Sequence, residues 1–491
     1  MTVSRQKEPG GVAFLALPVV LAFSIFAMGA LQVGYLSDDF ALIRAAERSG
    51  WFGAIEKTHF SPAISFLFKC ASLSWISATQ WHLLAFGFHC LNVGLFIRLV
   101  SRLLEPTRFL VVVVGCLFAL CAPGIEALAW ACALGYVLIL TIILCGLLVM
   151  SSPRPRLSRD RWTLCLLQLL ACLVWDWAVL FAPIITVAGC FGWGPGDRRL
   201  PILRRLLLLL GPTCAMLLSY MIFRGAMGYR LGEPVGLRPD KIIHLLLSAP
   251  LRCIFPNSSI EFYRSSLGNL LSMAVWGVMI VPCLHDRNAR MLLVVFGLCQ
   301  VPYIYFGTPE SRYFYISSPF LFAVLARRPA KRSWCFLWKG MVVVAFALAV
   351  YCAVERAALW RAAYLQAQSI RNEVIEWIES RRARLCVIVN LPDAYGPANM
   401  LWKPYVWRNG FFVEGVKIRR INTTDADFIW RDSAIPILSR KEILETQTRG
   451  LILEVRADSE QGSQKFHVQE FNGIALPERR GAQSAGPPGA D

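Results

Sequence analysis

The sequence is poor in acid. Asp and Glu together number 32 of 491 residues, against 50 Lys and Arg, and there are six His. On a soluble protein such a surplus of positive charge would point to nucleic acid. No nucleic-acid-binding motif accompanies it, and that class is set aside. No CxxC pair occurs among the 16 cysteines. Most of them fall inside apolar runs, as Cys116, Cys132, Cys145 and Cys299 do, and read as small packing residues. Beyond residue 356 Cys386 stands alone, which excludes a disulfide framework there. No internal repeat is evident, and this argues against the inverted-repeat architecture of many secondary transporters. No A-x-A cleavage pattern follows the first apolar run, Val12 to about Val33. That run is too long for a signal-peptide core and reads as a retained anchor behind Arg5 and Lys7.

What the chain has in abundance is apolar length. Hydrophobic residues make up 56%, and uncharged runs recur at Phe109–Cys121, Ala131–Met150 and Met341–Val354. With their flanks these approach the length needed to cross a bilayer, and they are too many for one soluble core to bury. Spans are expected at 12–34, 81–103, 108–124, 129–150, 162–177, 179–195, 203–223, 267–285, 290–307, 311–327 and 335–355. Splitting the chain at Asp176 keeps the basic clusters on one side: Arg98/Arg102/Arg108, Arg154/Arg156/Arg159/Arg161, Arg198/Arg199/Arg204/Arg205, Arg287/Arg290 and Arg327/Arg328/Lys331/Arg332/Lys339. The positive-inside rule then gives about eleven spans, with the N-terminus cytoplasmic and the C-terminus outside. Anionic lipid headgroups are natural partners for those arginines.

The expected fold is an all-α polytopic membrane bundle with a small C-terminal α/β extracytoplasmic domain. In the first outer loop, residues 40–48 are amphipathic, and Ser61-Pro62 opens the apolar stretch Ala63–Ile76. Both read as helices lying in the membrane interface, and Leu237–Pro250 looks similar. The membrane domain is expected over 1–355 and the soluble domain over 356–476. In that domain a helix at Arg356–Arg384 precedes strands at Leu385–Asn390, Phe411–Ile418, Leu451–Val455 and Lys465–Phe471. Residues 477–491, rich in Pro, Gly, Ala and Ser, read as a disordered tail.

Ionisable residues in the outer turns are the candidates for chemistry. Asp38 and Asp39 follow the first span directly. A carboxylate there can take a proton from an acceptor hydroxyl, and a pair can hold a divalent cation; an aspartate before Phe40 is equally a good helix cap. Lys57 and His59, in Lys57-Thr-His59-Phe-Ser-Pro62, could meet a phosphate. Glu126, in Pro123-Gly-Ile-Glu126-Ala-Leu-Ala-Trp130, falls in the turn between the third and fourth spans. A carboxylate in so apolar a setting is costly unless paired or wet. Asp176, between two tryptophans, raises the same question. In Glu310-Ser-Arg312-Tyr313-Phe-Tyr315, an arginine at the outer mouth of a span runs against the inside bias, and its planar fork suits phosphate. Each has an ordinary structural reading, as a solvated loop residue or a snorkelling side chain.

Taken together, these motifs and their order resemble the GT-C superfamily of polyprenyl-phosphate-sugar glycosyltransferases, in its protein O-mannosyltransferase-like and bacterial family 39-like members. Asp38-Asp39 matches the acidic pair of the first outer loop. His59-Phe-Ser-Pro62 is similar to a His-x-Pro element, Pro123…Glu126-Ala-Leu-Ala-Trp130 to a Pro…Glu-Ala-x-x-Trp turn, and Glu310-Ser-Arg312-Tyr313 to a Glu-x-Arg-Tyr motif. The layout of residues 12–355 is covered. Asp176 departs from the pattern, standing where many relatives carry Lys-Glu, and the tail has no tetratricopeptide pattern.

The resemblance implies an inverting transfer of sugar from a polyprenyl-phosphate donor to a glycan, lipid or protein acceptor outside the cytoplasm, in a bacterial inner membrane. It implies Asp38, Asp39 and Glu126 as catalytic residues, with Asp38 preferred as base. Arg312, His59 and Lys57 would bind the donor phosphate, with Asp176, Glu310 and Tyr313 in support. The sequence itself demands no cofactor and leaves its identity open; if a divalent metal binds, Asp38 and Asp39 are its expected ligands. The rivals are a lipid-linked oligosaccharide ligase or polymerase using Arg230, Arg238, Arg252 and Arg264, and a non-enzymatic lipid or glycan transporter.

Overall fold

The computed structural model describes residues 13–36, 38–51, 61–104, 108–152, 157–191, 193, 202–228, 239–255, 260–306, 311–326, 332–392, 394–395, 398–399, 416–423, 437–445, 450–460 and 463–471. Lys57, His59, Glu310 and the expected tail 477–491 lie outside them. Asp38 is placed as the first residue of a helix, with its side chain outside the description.

The first half carries α1 (Ala13–Met28), α2 (Asp38–Arg48), α3 (Pro62–Ser72), α4 (Ala78–Leu103), α5 (Arg108–Ala119), α6 (Ala122–Ala129), α7 (Leu134–Met150), α8 (Leu157–Val174), α9 (Phe181–Cys190) and α10 (Ile202–Ala226). Then come α11 (Pro239–Ile254), α12 (Ile260–Arg264), α13 (Ser266–His285), α14 (Arg287–Leu298), α15 (Val301–Phe306), α16 (Ser318–Leu325) and α17 (Arg332–Ser380). Among the described residues, four helices are long and apolar enough to cross a membrane: α4, the stretch Ala131–Met150, α13, and Val342–Ser380 of α17. The pair Phe109–Ala119 and Ala122–Ala129, bent by 44°, makes a fifth if counted as one span. The chain is an integral membrane protein.

Local chemistry starts these helices. Ser77 and Gln80 form a reciprocal capping box on α4, with N···O distances of 3.2 and 2.8 Å. The Asp286 carboxylate accepts from the backbone N–H groups of Asn288 and Ala289, at 2.7 and 3.0 Å, and opens α14. Pro62 begins α3 and Pro123 lies in the first turn of α6, where a missing N–H costs nothing. Gly135 is where α7 meets Trp175: a Cβ at that glycine would lie 2.7 Å from the indole.

Three expectations are corrected. The turn expected between residues 124 and 129 is the buried helix α6, bent by 44° from the helix before it. The spans expected at 290–307 and 311–327 are each interrupted, at Cys299–Gln300 and at the 3-10 turn Ser311–Phe314. The span expected over 335–355 and the helix expected over Arg356–Arg384 are one unbroken helix, α17, since nothing from 356 to 380 breaks its period.

The chain divides into two compact units, Met1–Tyr364 with Gly396–Ala398, and Leu365–Tyr395 with Asn399–Asp491. The second is built on a five-stranded sheet in the order β5-β4-β1-β6-β7. Its strands are β1 (Leu385–Val389), β4 (Lys417–Thr423), β5 (Ile437–Leu438), β6 (Leu451–Glu460) and β7 (Ser463–Glu470). The two-residue strands β2 (Ala394–Tyr395) and β3 (Ala398–Asn399) and the short helix α18 (Arg440–Glu445) complete the elements. β1 pairs in parallel with both β4 and β6, and only β7 is antiparallel. As expected of a central parallel strand, β1 is buried almost throughout. Val387, Val389, Ile443 and Phe471 form the core on one face. β7 is an edge strand, and its outward N–H groups are satisfied. Phe466 N–H donates to Gln366 Oε1 (3.3 Å) and Val468 N–H to Glu373 Oε2 (2.8 Å), both on α17.

Candidate active site

A helix bent in the middle of an apolar bundle frees backbone groups that water cannot reach, so side chains must take them up. Here α4 and the first loop supply them. His89 Nε2 lies 3.1 Å from the carbonyl of Ala119, at the end of α5. His82 Nδ1 lies 2.7 Å from the carbonyl of Leu128, and Trp81 Nε1 donates to Ala131 O at 3.1 Å. The N–H of Cys132 donates to Asp39 Oδ1 at 2.8 Å, while Asp39 Oδ2 accepts from the N–H of Leu36 at 3.0 Å. Asp39 is wholly buried. It ties the start of the first outer loop to the turn between α6 and α7.

The segment held this way carries Glu126. Every residue of α6 is buried, Glu126 among them. Its Oε1 accepts from Arg312 Nη1 at 3.2 Å, and its Oε2 lies 4.0 Å from Arg356 Nη1 on α17. All three side chains are less than a tenth exposed. One carboxylate therefore faces two guanidinium groups in a low-dielectric setting, where such a group persists only if paired.

Arg312 is fixed from several sides. Its guanidinium lies over the ring of Trp130 at 4.2 Å and 5.0 Å from that of Tyr313. Three residues on, the Tyr315 hydroxyl lies 2.8 Å from His89 Nδ1 and accepts from Asn92 Nδ2 at 3.1 Å. The 3-10 turn that presents Arg312 is thus anchored to α4 by a buried polar cluster.

Asp176 belongs to a neighbouring cluster. It is ion-paired with the buried Arg224, and the Tyr220 hydroxyl donates to it at 3.4 Å, both partners on α10. Its flanking residues reach the Arg312 site: Trp177 stacks on Tyr313 with ring centroids 5.6 Å apart, and Tyr136 packs edge-on against Trp177 at 5.1 Å. The buried Arg252 lies over the Tyr263 ring at 3.8 Å.

Of the residues singled out in sequence, Glu126 and Arg312 touch, Tyr313 stacks beside them, Asp39 clamps the next turn, and Asp176 sits one aromatic layer away. Arg356, Tyr136, Arg224 and His82 had no sequence signal strong enough to single them out. Arg356 sits at a junction that reads as the start of a charged tail helix, and Arg224 as an ordinary basic residue at a helix end. Among the described residues no three His, Cys, Asp or Glu side chains gather as metal ligands. Both Asp39 oxygens already accept backbone N–H groups, so that side chain does not fit an exposed metal-binding role.

No family model matches the sequence, and no curated protein matches it. Comparison with solved structures finds ArnT from Cupriavidus metallidurans bound to undecaprenyl phosphate, at 12% identity over 95% of this chain and 99% of that one, with a TM-score of 0.48. The apo form of that protein gives 12% identity and 0.47 over the same shares. The arabinofuranosyltransferase AftD from Mycobacteria gives 14% identity and 0.48 over 83% of this chain. This chain spans 31% of the length of AftD.

Proposed function

We propose that the chain is a GT-C-type membrane glycosyltransferase that moves a sugar from a polyprenyl-phosphate donor to an extracytoplasmic acceptor with inversion at the anomeric carbon. In this reading the chain crosses a bacterial inner membrane about eleven times, with the N-terminus cytoplasmic and the sheet-bearing unit outside. The observation that carries it is the buried Glu126–Arg312–Arg356 constellation, in which one carboxylate contacts two guanidinium groups beside the clamp made by Asp39. A phosphate entering there would meet a preorganised guanidinium.

The chemistry follows from the residues. The acceptor hydroxyl oxygen attacks the anomeric carbon while the bond from that carbon to the phosphate oxygen breaks. The hydroxyl proton passes to a carboxylate, and polyprenyl phosphate departs with the bonding electrons. Asp38 is assigned as that base, since Asp39 is committed to holding two backbone N–H groups. Arg312 stabilises the charge growing on the leaving phosphate, and Glu126 holds Arg312 and Arg356 in place. Lys57 and His59 are assigned to the same phosphate.

The test is transfer by purified, reconstituted protein from radiolabelled polyprenyl-phosphate sugars to a cell-envelope extract. Wild type should form product. Asp38→Asn should abolish transfer while inserting normally, and Arg312→Lys should lower kcat more than it raises KM. Full activity of Asp38→Asn would remove the catalytic assignment. Consumption of a diphosphate-linked oligosaccharide alone would replace the donor class, the outcome that the buried Arg252 would then explain.

A further inference from the structure

The far end of α4 carries a second polar site. Along α4, from Trp81 beside the α6 turn to Arg102, 21 residue steps at 1.5 Å span about 30 Å, the thickness of a bilayer's hydrocarbon core. There a cavity of about 320 Å³ opens between the ends of α4 and α7 and the start of α8. Ligand sites commonly have volumes of about 300–1,000 Å³. Its polar lining comprises Arg98 and Arg102 of α4, Ser152 after α7, and Arg159, Asp160 and Thr163 of α8.

The charges there do not cancel. Asp160, 3% exposed, pairs with Arg159 Nε at 3.5 Å. Arg102 donates to the carbonyl of Leu148 at 3.3 Å, which holds its guanidinium at the wall. Three guanidinium groups thus face one carboxylate. Arg98 and Arg102 stand one helical turn apart on one face of α4, and both line the cavity. The surroundings suit an amphiphile. Below Arg159, α8 presents Trp162, Leu166, Leu169, Leu170 and Leu173, each 38–63% exposed. At 3.6 residues per turn these share the face that Arg159 heads. The stripe from 162 to 173 is about 16 Å long, roughly one leaflet of the hydrocarbon core.

We propose that this cavity binds the phosphate headgroup of an anionic lipid, with an acyl chain lying along the α8 stripe, at the membrane surface opposite the Glu126 site. The site is independent of which sugar donor the chain uses. Full-length protein is purified and placed in nanodiscs of phosphatidylcholine with or without phosphatidylglycerol, and retained lipid is read by native mass spectrometry alongside thermal unfolding. Wild type should retain phosphatidylglycerol over phosphatidylcholine and unfold at a higher temperature with it. The variant Arg98→Gln/Arg159→Gln should bind phosphatidylglycerol about thirtyfold more weakly, at about tenfold or less per charge removed. Arg98→Lys/Arg159→Lys should keep most of the preference. Wild type showing no preference for phosphatidylglycerol overturns the proposal, and that arm needs no variant to fold. Equal stabilisation by inorganic phosphate in plain phosphatidylcholine also overturns it, in favour of a soluble phosphate ligand. Unchanged retention by the Gln variant overturns it as well.

Discussion

Replacing Glu126 by Gln removes the one negative charge that Arg312 and Arg356 share. At an effective dielectric near 20, attraction across 3.2 Å is about 5 kcal/mol and across 4.0 Å about 4 kcal/mol. Most of that offsets the cost of burying the three ions, so the intact cluster adds little net stability. Removing one member is different, because it strands the others. With both guanidinium groups less than a tenth exposed, Glu126→Gln should cost about 3 kcal/mol, the lower end for a broken buried pair, since the amide oxygen still accepts one hydrogen bond from Arg312. The assay is a double-mutant cycle with Arg356→Met, read as thermal or denaturant unfolding in one detergent. Removing the second cation should relieve part of the loss, making the double variant about 1–3 kcal/mol more stable than additivity predicts. Strict additivity, or a Glu126→Gln variant as stable as wild type, would refute the shared-carboxylate reasoning.

Asp39→Asn should cost about 1–3 kcal/mol, because an amide has a single oxygen for the two N–H groups of Leu36 and Cys132 and turns its NH2 toward one of them; denaturant midpoints measure this. Asp176→Asn should destabilise the first unit by leaving Arg224 buried beside a neutral amide, and Asp176→Asn/Arg224→Met should recover part of the loss in the same assay. In the second unit Glu454, 1% exposed, accepts from Asn390 Nδ2 at 3.3 Å and Arg456 Nε at 2.9 Å. Glu454→Ala should cost about 2–3 kcal/mol and speed hydrogen exchange in 385–390 and 451–456. Burial pushes the Cys386 thiol up to about 12, so its thiolate is about one part in ten thousand at pH 8. It should resist alkylation in the native chain and react in denaturant, as peptide mapping would show; native labelling at the denatured rate would contradict its burial.

What could be read in the sequence was periodic or local. The apolar runs gave the helices that carry the bundle, and the run Leu385–Asn390 gave the central strand, because both depend on near neighbours. The bend after Ala119 could not be read this way. It is held by His89, Trp81, His82 and Asp39, which lie 30 to 93 positions from the groups they satisfy. The same limit hid Arg356, which lies 230 positions from Glu126 and looks from its neighbours like the opening of a soluble helix. Glu126 and Arg312 could be singled out because a charge in an apolar run is anomalous on sight. Which charges would meet is a property of the fold.

The buried charges of the first unit show where that fold leaves room for a ligand. Asp39 is stabilised by backbone N–H groups and requires no cation. Asp176 is matched by Arg224, and Asp160 lies at the other end of the bundle with Arg159. Among the described residues that leaves Glu126 as the buried carboxylate that contacts Arg312 and Arg356. A structural ion pair needs one arginine, and here two guanidinium groups contact the same carboxylate. An incoming phosphate would offer both a second anion in a low-dielectric setting. If Arg356→Met raised stability and left donor binding unchanged, the second arginine would be incidental, and the phosphate assignment would rest on Arg312 alone.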